Sequence, residues 1–361
     1  QLVVERIAEM NASFATFESA GGAKIFRLPL QVFPNFWAYA YVVQRHHETY
    51  LIDTGSGTDT SHEGLLNGLK QAGFQPADLT QILLTHAHID HYGGLSKLKP
   101  LTSAKIGCHE LDAQTVSHHD ENLALMSKRF ASFLTEAGLA KDEADSLLDI
   151  YRFTKSLYQS VPVDFTYESK NMQVGPFEMI HVPGHCAGHV AMRLDDVVFC
   201  GDMVVEGVTP HLHPETIGAY NGLDHYLESL EKLRVWADGA RLILNGHNDV
   251  ITDLPEKVDA ARKHILHRMS KIANALAEPL TIAEVCGTVY GRLEGYNQLL
   301  VIEKTGAYVE YFYEHSMIEI VNADEVEQGL PARYRRLRGE DEMLEELERK
   351  VKTETRMQVD T

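Results

Sequence analysis

Four side chains able to hold a metal ion fall within six positions of this chain: His86, His88, Asp90 and His91, in the run Thr85-His86-Ala87-His88-Ile89-Asp90-His91-Tyr92-Gly93-Gly94. Imidazole suits zinc and iron, and a carboxylate can complete or bridge a site for two metals. A metal ion held by such a cluster lowers the pKa of its bound water toward ~7 and so makes hydroxide available near neutral pH. The apolar run Ile82-Leu83-Leu84 comes just before it and reads as a buried strand.

One cluster does not make a site, and the other ligands must come from other elements. Pro183-Gly184-His185 follows an apolar run at 180–182, Gly201-Asp202 follows one at 197–200, and Asn245-Gly246-His247 follows one at 242–244. Each candidate ligand stands just past a strand and beside a glycine, which lets backbone and metal approach closely. Three further strand ends thus deliver His, Asp and His.

The elements that must hold these ends read as an α/β layered domain. Strands are predicted at 24–30, 37–43 and 49–52, then a turn at 53–57, a helix at 61–73 with Gly73 as its C-cap, and a strand at 80–85. Residues 109–160 change character. Leu123, Met126, Phe130, Phe133 and Leu134 recur at helical spacing, and a second helix spans 147–157. These helices are expected to roof a pocket, with Phe130, Phe133 and Tyr158 as candidate liners. Strands resume at 164–167, 177–182, 190–194, 197–200 and 241–244, with helices at 224–236 and 256–278. Beyond 279, Thr281 caps a helix through Val289, a second helix spans 299–314, and 317–321 is a strand. That order fits a small winged-helix-like module. Residues 1–22 read as a short helix and linker, and 339–361 as a charged helix or frayed tail. The basic run Arg333, Arg335, Arg336 and Arg338 reads as a solvated helical face.

Composition narrows the partners. With 361 residues, 44% of them hydrophobic, the chain is long enough for one large domain plus a smaller one, or for two ordinary domains. A net charge of -19 argues against nucleic acid and anionic membranes, which call for clustered Lys and Arg. The four cysteines form no Cys-x-x-Cys pair and no disulfide framework, which fits reduced thiols. Neither a signal peptide nor an apolar run of roughly 18 residues is visible, so the expected setting is cytoplasmic.

Taken in order, Asp53-Thr54-Gly55, the cluster from His86 to His91, His185, Asp202 and His247 resemble the motif series of the metallo-β-lactamase-fold hydrolases. The resemblance covers about residues 23–255. It implies a four-layer αββα sandwich with a helical insertion at about 109–160, followed by a mostly helical module at 256–338 and the tail at 339–361. It also implies that His86, His88 and His185 hold one divalent metal ion, that Asp90, His91 and His247 hold a second, and that Asp202 bridges them. Zinc is the default, and iron and manganese occupy similar sites. Asp90, with the bridging hydroxide, would be the catalytic group. Asp53 would accept a hydrogen bond from a ligand His, and His189 would support the site similarly. Gly201-Asp202-Met203 and Gly207-Val208-Thr209-Pro210 are similar to a bacterial branch with a C-terminal winged-helix-like domain, related to β-lactamase-like protein 2.

The complete ligand set, with Asp202 at the bridge, resembles glyoxalase II and ribonuclease Z more than true β-lactamases. Many lactonases of the fold carry Tyr three residues past that Asp, where this chain has Val205. The expected reaction is therefore hydrolysis of a small ester or thioester of acyl-CoA or acyl-glutathione type. His211 and His213 are candidates to bind its polar end, with His118 and His119 as weaker ones. The alternatives are a phosphodiesterase or ribonuclease, a lactonase, and a metal-binding regulatory protein. A homodimer formed through the C-terminal module also fits.

Overall fold

A computed structural model of the chain describes residues 13–205 and 209–353. Two twisted sheets face each other at its centre. The first carries seven strands in sequence order: β1 (Ala15–Glu18), β2 (Lys24–Phe33), β3 (Phe36–Arg45), β4 (Glu48–Ile52), β5 (Gln81–Leu83), β6 (Lys105–Cys108) and β7 (Phe165–Thr166). The second holds β8 (Gln173–Val174), β9 (Phe177–His181), β10 (Val190–Leu194), β11 (Val197–Phe199) and β12 (Leu242–Leu244), in the order β12-β11-β10-β9-β8.

Alternation along β3 shows how the layers form. Tyr39, Tyr41 and Val43 point between the sheets, where they meet Phe177, Met192 and Phe199. Ala38, Ala40 and Val42 point outward, onto a second core beneath helix α1 (Asp59–Ala72) and the short helices α2 (Ile89–Tyr92) and α3 (Leu95–Leu98). Both faces are buried, so these strands read as continuous apolar runs rather than alternating ones. Thr58 caps α1 by accepting the Ser61 N–H, and Gly73 closes it with φ 89°, a left-handed conformation that favours glycine.

The outer face of the second sheet is covered by α7 (Leu223–Trp236) and α8 (Leu254–Ala275), which completes an αββα sandwich. Between β6 and β7 lie the inserted helices α4 (Glu110–Ser117), α5 (His119–Glu136) and α6 (Lys141–Lys155). After α8 come α9 (Ile282–Tyr290), α10 (Gly295–Glu314), β13 (Ile318–Ile320), α11 (Ala323–Val326), β14 (Tyr334–Arg336) and α12 (Glu340–Thr353). A capping box between Thr281 and Glu284 starts α9, as the sequence predicts. One hydrophobic core joins the second sheet, the inserted helices α5 and α6, and the C-terminal helices. Val198, Leu227 and Leu230 of the sandwich touch the same cluster as Ile265, Met269 and Ile272 of α8 and Tyr308 and Phe312 of α10.

Four expectations change. Residues 15–18 are a strand rather than part of a helix and linker; residues 1–12 of that expectation lie outside the described residues. Gly21-Gly22, taken for linker, is the turn of a hairpin closed by Ser19 N–H to Ala23 O (3.0 Å) and Gly22 N–H to Ser19 O (2.9 Å). The basic run is not a helical face either. Arg335 and Arg336 sit on β14, which pairs antiparallel with β13, and Arg333, Arg335 and Arg338 are answered by Glu284, Glu319, Glu342 and Glu346. Phe130 and Phe133 do not line a site. Phe130 is fully buried, 4.9 Å from the Tyr151 ring and 6.3 Å from Phe133, because α5 turns its apolar stripe onto the shared core.

Candidate metal centre

Parallel pairing explains why distant residues meet. β4 runs parallel to β5, and β11 parallel to β12, so Asp53, the His86–His91 segment, Asp202 and His247 all leave strand ends on one edge of the sandwich. Backbone bonds knit these loops together. Asp53 N–H reaches Leu83 O (3.0 Å), Gly246 N–H reaches Gly201 O (2.9 Å), and Val190 N–H reaches Thr85 O across the two sheets (2.9 Å).

The side chains converge on Asp202. Its Oδ2 lies 2.9 Å from His247 Nε2, 3.3 Å from His91 Nε2, 3.6 Å from His185 Nε2 and 3.9 Å from His86 Nε2. His247 Nε2 is 3.4 Å from Asp90 Oδ2. His88 closes the other side, its ring 4.7 Å from His86 and 4.3 Å from His185. Three overlapping groups result, each compact enough to surround an ion: His86, His88 and His185; His86, His91 and Asp202; Asp90, His91 and His247.

Outer hydrogen bonds turn the rings. Thr85 Oγ1 donates its proton to Asp53 Oδ2 (2.7 Å), so the 2.9 Å contact with His86 Nδ1 must be donated by the imidazole. His91 Nδ1 donates to Asp53 Oδ2 (2.9 Å), His185 Nδ1 to the His211 carbonyl (2.8 Å) and His247 Nδ1 to the Trp37 carbonyl (2.7 Å). Each bond fixes a proton on Nδ1 and leaves Nε2 to face inward. His86, His91 and His185 Nε2 and Asp202 Oδ1 are buried and lack any hydrogen-bond partner. Buried polar atoms are normally satisfied, so four orphans aimed at one point fit a bound cation. Burial, together with the neighbouring imidazoles, holds His86 and His88 well below the usual histidine range, in the neutral form that ligates. Burial would also raise Asp202, but His247 and His91 outweigh it and keep that carboxylate ionised.

Asp53 and His189 both border this cluster. Asp53 also accepts the Thr85 N–H (2.8 Å), and His189 Nε2 accepts the Asp202 N–H (3.0 Å). Glycine is required at 246, where a Cβ would sit 2.1 Å from Asp202 Oδ1 and 2.7 Å from His91 Cε1.

Several residues at the site carry no motif. Asp112 of α4 accepts the Ala87 N–H (2.8 Å) and the Gly188 N–H (2.9 Å), bracing two ligand loops at once. His211 carries a second link, with its Nε2 3.3 Å from Glu303 Oε2 on α10. Burial pushes the Glu303 carboxyl up to about 8. Lys304 Nζ holds the Thr209 carbonyl at 2.7 Å and so anchors the loop that carries His211. His213 packs 6.1 Å from His211, and its Nδ1–H donates to the adjacent Pro214 carbonyl at 3.0 Å. Tyr158 is buried against Tyr92 (5.7 Å) and His119 (5.8 Å), close enough to Asp90 to feel its charge. His119 is a brace rather than a loop residue: it accepts from Tyr92 O–H and donates to the Lys155 carbonyl. Only pairings between distant elements reveal these roles, and a linear motif carries no such signal.

A His and Asp cluster at one edge of an αββα sandwich defines a metal-dependent hydrolase. The family model of the metallo-beta-lactamase superfamily matches residues 38–247, and the chain belongs to that superfamily. A hydroxyacylglutathione hydrolase of Shewanella baltica (strain OS185) is 25% identical over 237 residues, covering 62% of this chain and 73% of the relative. A beta-lactamase-like protein 2 homolog of Drosophila melanogaster is 24% identical over 233 residues, covering 64% and 65%. The crystal structure of a metallo-beta-lactamase family protein from Thermus thermophilus superposes with a TM-score of 0.67 at 25% identity, covering 86% of this chain and 98% of that one.

Proposed function

We propose that this hydrolase cleaves a small ester or thioester with two divalent metal ions, zinc by ligand type. In this reading His86, His88 and His185 hold one ion and Asp90, His91 and His247 the other, with Asp202 shared. The observation that carries it is the approach of four imidazole Nε2 atoms to within 3.9 Å of one carboxylate oxygen. When bound, the metals supply Lewis acidity and a water of lowered pKa. The protein's own part is orientation. Asp53, Thr85 and the Trp37 and His211 carbonyls hold the rings in one tautomer, and His189 fixes the backbone of Asp202. Asp90 is placed to accept a proton from the attacking water and to align it. The likeness to a hydroxyacylglutathione hydrolase supports the thioester, and the charge of -19 weighs against a polyanionic substrate. We take residues 23–255 as the catalytic domain and 256–338 as a winged-helix-like module that packs against it.

Metal content by mass spectrometry, measured beside turnover of matched thioesters, oxygen esters and bis-p-nitrophenyl phosphate, tests this reading. The expected result is two equivalents of metal and thioester turnover that disappears on chelation. Phosphodiester turnover far above thioester turnover overturns it.

A further inference from the structure

Residues 209–222 run past the metal centre as a strap without helix or strand. The strap meets the loop of one ligand twice. Its His211 carbonyl accepts the His185 Nδ1–H at 2.8 Å, and Gly222 N–H reaches the carbonyl of Gly184, next in sequence to His185, at 3.0 Å. A ligand imidazole is only as well aimed as the group that holds its other nitrogen. The aim of the His185 ring thus depends on what holds the strap.

Helix α10 holds it, from outside the residues 38–247 that the family model matches. Glu303 Oε2 lies 3.3 Å from His211 Nε2, and Lys304 Nζ donates to the Thr209 carbonyl at 2.7 Å. Two turns further along the helix, Glu310 uses both carboxylate oxygens. Oε2 accepts the Glu215 N–H at 2.7 Å, and Oε1 accepts the Thr216 N–H at 3.3 Å. These two amides open a turn in which the Pro214 carbonyl accepts the Ile217 N–H at 3.0 Å. Like the first amides of a helix, they find no backbone acceptor within it. A carboxylate placed on both is a charge-assisted cap for the turn. Gly306 lies between these contacts. A Cβ there would stand 2.7 Å from Pro214 Cγ, so the helix backbone itself lies against the strap. Glu303, Gly306 and Glu310 fall at i, i+3 and i+7, and one face of α10 therefore follows the strap.

We propose that α10 is a built-in clamp for the metal centre, with Glu310 as a positioning residue. By fixing the turn at Pro214 it sets the place of the His211 carbonyl and, through that, the direction of His185 Nε2. The inference rests on the reading in which His185 shares an ion with His86 and His88. Glu310 touches only strap backbone, so its removal slackens the strap and leaves every side chain of the cluster in place. The effect is one-sided. His91 and His247 are held by Asp53 and the Trp37 carbonyl, which belong to other loops.

Zinc titration of the metal-free full chain against a chromogenic chelator tests this in two single-site backgrounds. His247→Ala keeps the ion of His86, His88 and His185, and His88→Ala keeps that of Asp90, His91 and His247. Adding Glu310→Ala is expected to weaken zinc ~10-fold in the first background, the low end for loss of an outer support of a ligand imidazole, and to leave the second unchanged. Glu310→Gln, whose amide oxygen keeps one of the two bonds, should restore part of the loss, and it carries the comparison should Glu310→Ala not fold. No loss in the first background, or equal loss in both, overturns the proposal. The His185 Nδ1–H resonance of histidine-labelled chain needs no metal. It should be visible in the wild type and lost to solvent exchange in Glu310→Ala, and its persistence there overturns the clamp. If that signal is lost while neither background takes up zinc, the clamp stands and the ligand assignment falls.

Discussion

At the scale of single residues, the candidate centre depends on groups outside the ligand set. Asp53 accepts from His91 Nδ1, Thr85 N–H and Thr85 Oγ1, so its removal frees one ligand ring and leaves buried donors unpaired. Asp53→Ala should weaken metal binding by ~10–100-fold, read by competition with a chromogenic chelator. Asp112→Ala strands the Ala87 and Gly188 N–H groups in the interior and should cost about 2–4 kcal/mol in denaturant unfolding. Glu303 gives a pH signature. Its carboxyl ionises only near pH 8 in the folded chain, against about 4.5 when unfolded, so between those values the folded state holds a proton that the unfolded state has lost. The stability from this group is complete below about pH 4.5 and disappears as pH rises through about 8. Over that window the melting temperature of the zinc-loaded wild type should fall more steeply than that of Glu303→Gln. The clustered side chains were legible in the sequence because His86, His88, Asp90 and His91 are neighbours and the others each follow a strand beside a glycine. Asp112 and Glu303 were not, because each acts on residues far away in the chain and looks locally like any charged helical residue.

Among the elements, periodicity was a good guide wherever burial was two-sided and long. Strands β2 to β5, β7 and β9 to β12 and the helices at 59–72, 223–236, 282–290 and 295–314 stand close to their predicted places, whereas β6 and β8 were not predicted. It failed at short pieces. Residues 15–18 look like linker until their partner strand is known, and Tyr334–Arg336 is too charged to read as a strand except through its pairing with Ile318–Ile320. The helical insertion was foreseen, but which of its faces meets the site was not. A stripe such as Phe130, Phe133 and Leu134 is the same whether it packs on protein or on substrate. Phe130→Ala should therefore cost about 3–5 kcal/mol in unfolding and leave KM for the acyl substrate unchanged. A large rise in KM without loss of stability would restore it to the pocket.

The second sheet is bound to the C-terminal helices by one core that passes through α8 and α10 to Met343 and Leu347 of α12, and two further cores join the first sheet to it and to the helices on its outer face. No helix among the described residues is long and apolar enough to cross a membrane. A continuous core predicts one cooperative transition: calorimetry of the zinc-loaded chain should give a single endotherm, displaced downward as a unit by chelator. A separate low-temperature peak for the C-terminal helices would contradict this. The order in which the ligands occur along the chain matters for the living cell as well. Because His185, Asp202 and His247 follow the first cluster only after a long stretch of chain, a chain emerging from the ribosome offers a cation His86, His88, Asp90 and His91 well before the other inward-facing groups exist. The complete cage forms only when the later strands close the sandwich, so a cation caught early by those four side chains is held by a partial set that folding must finish or exchange.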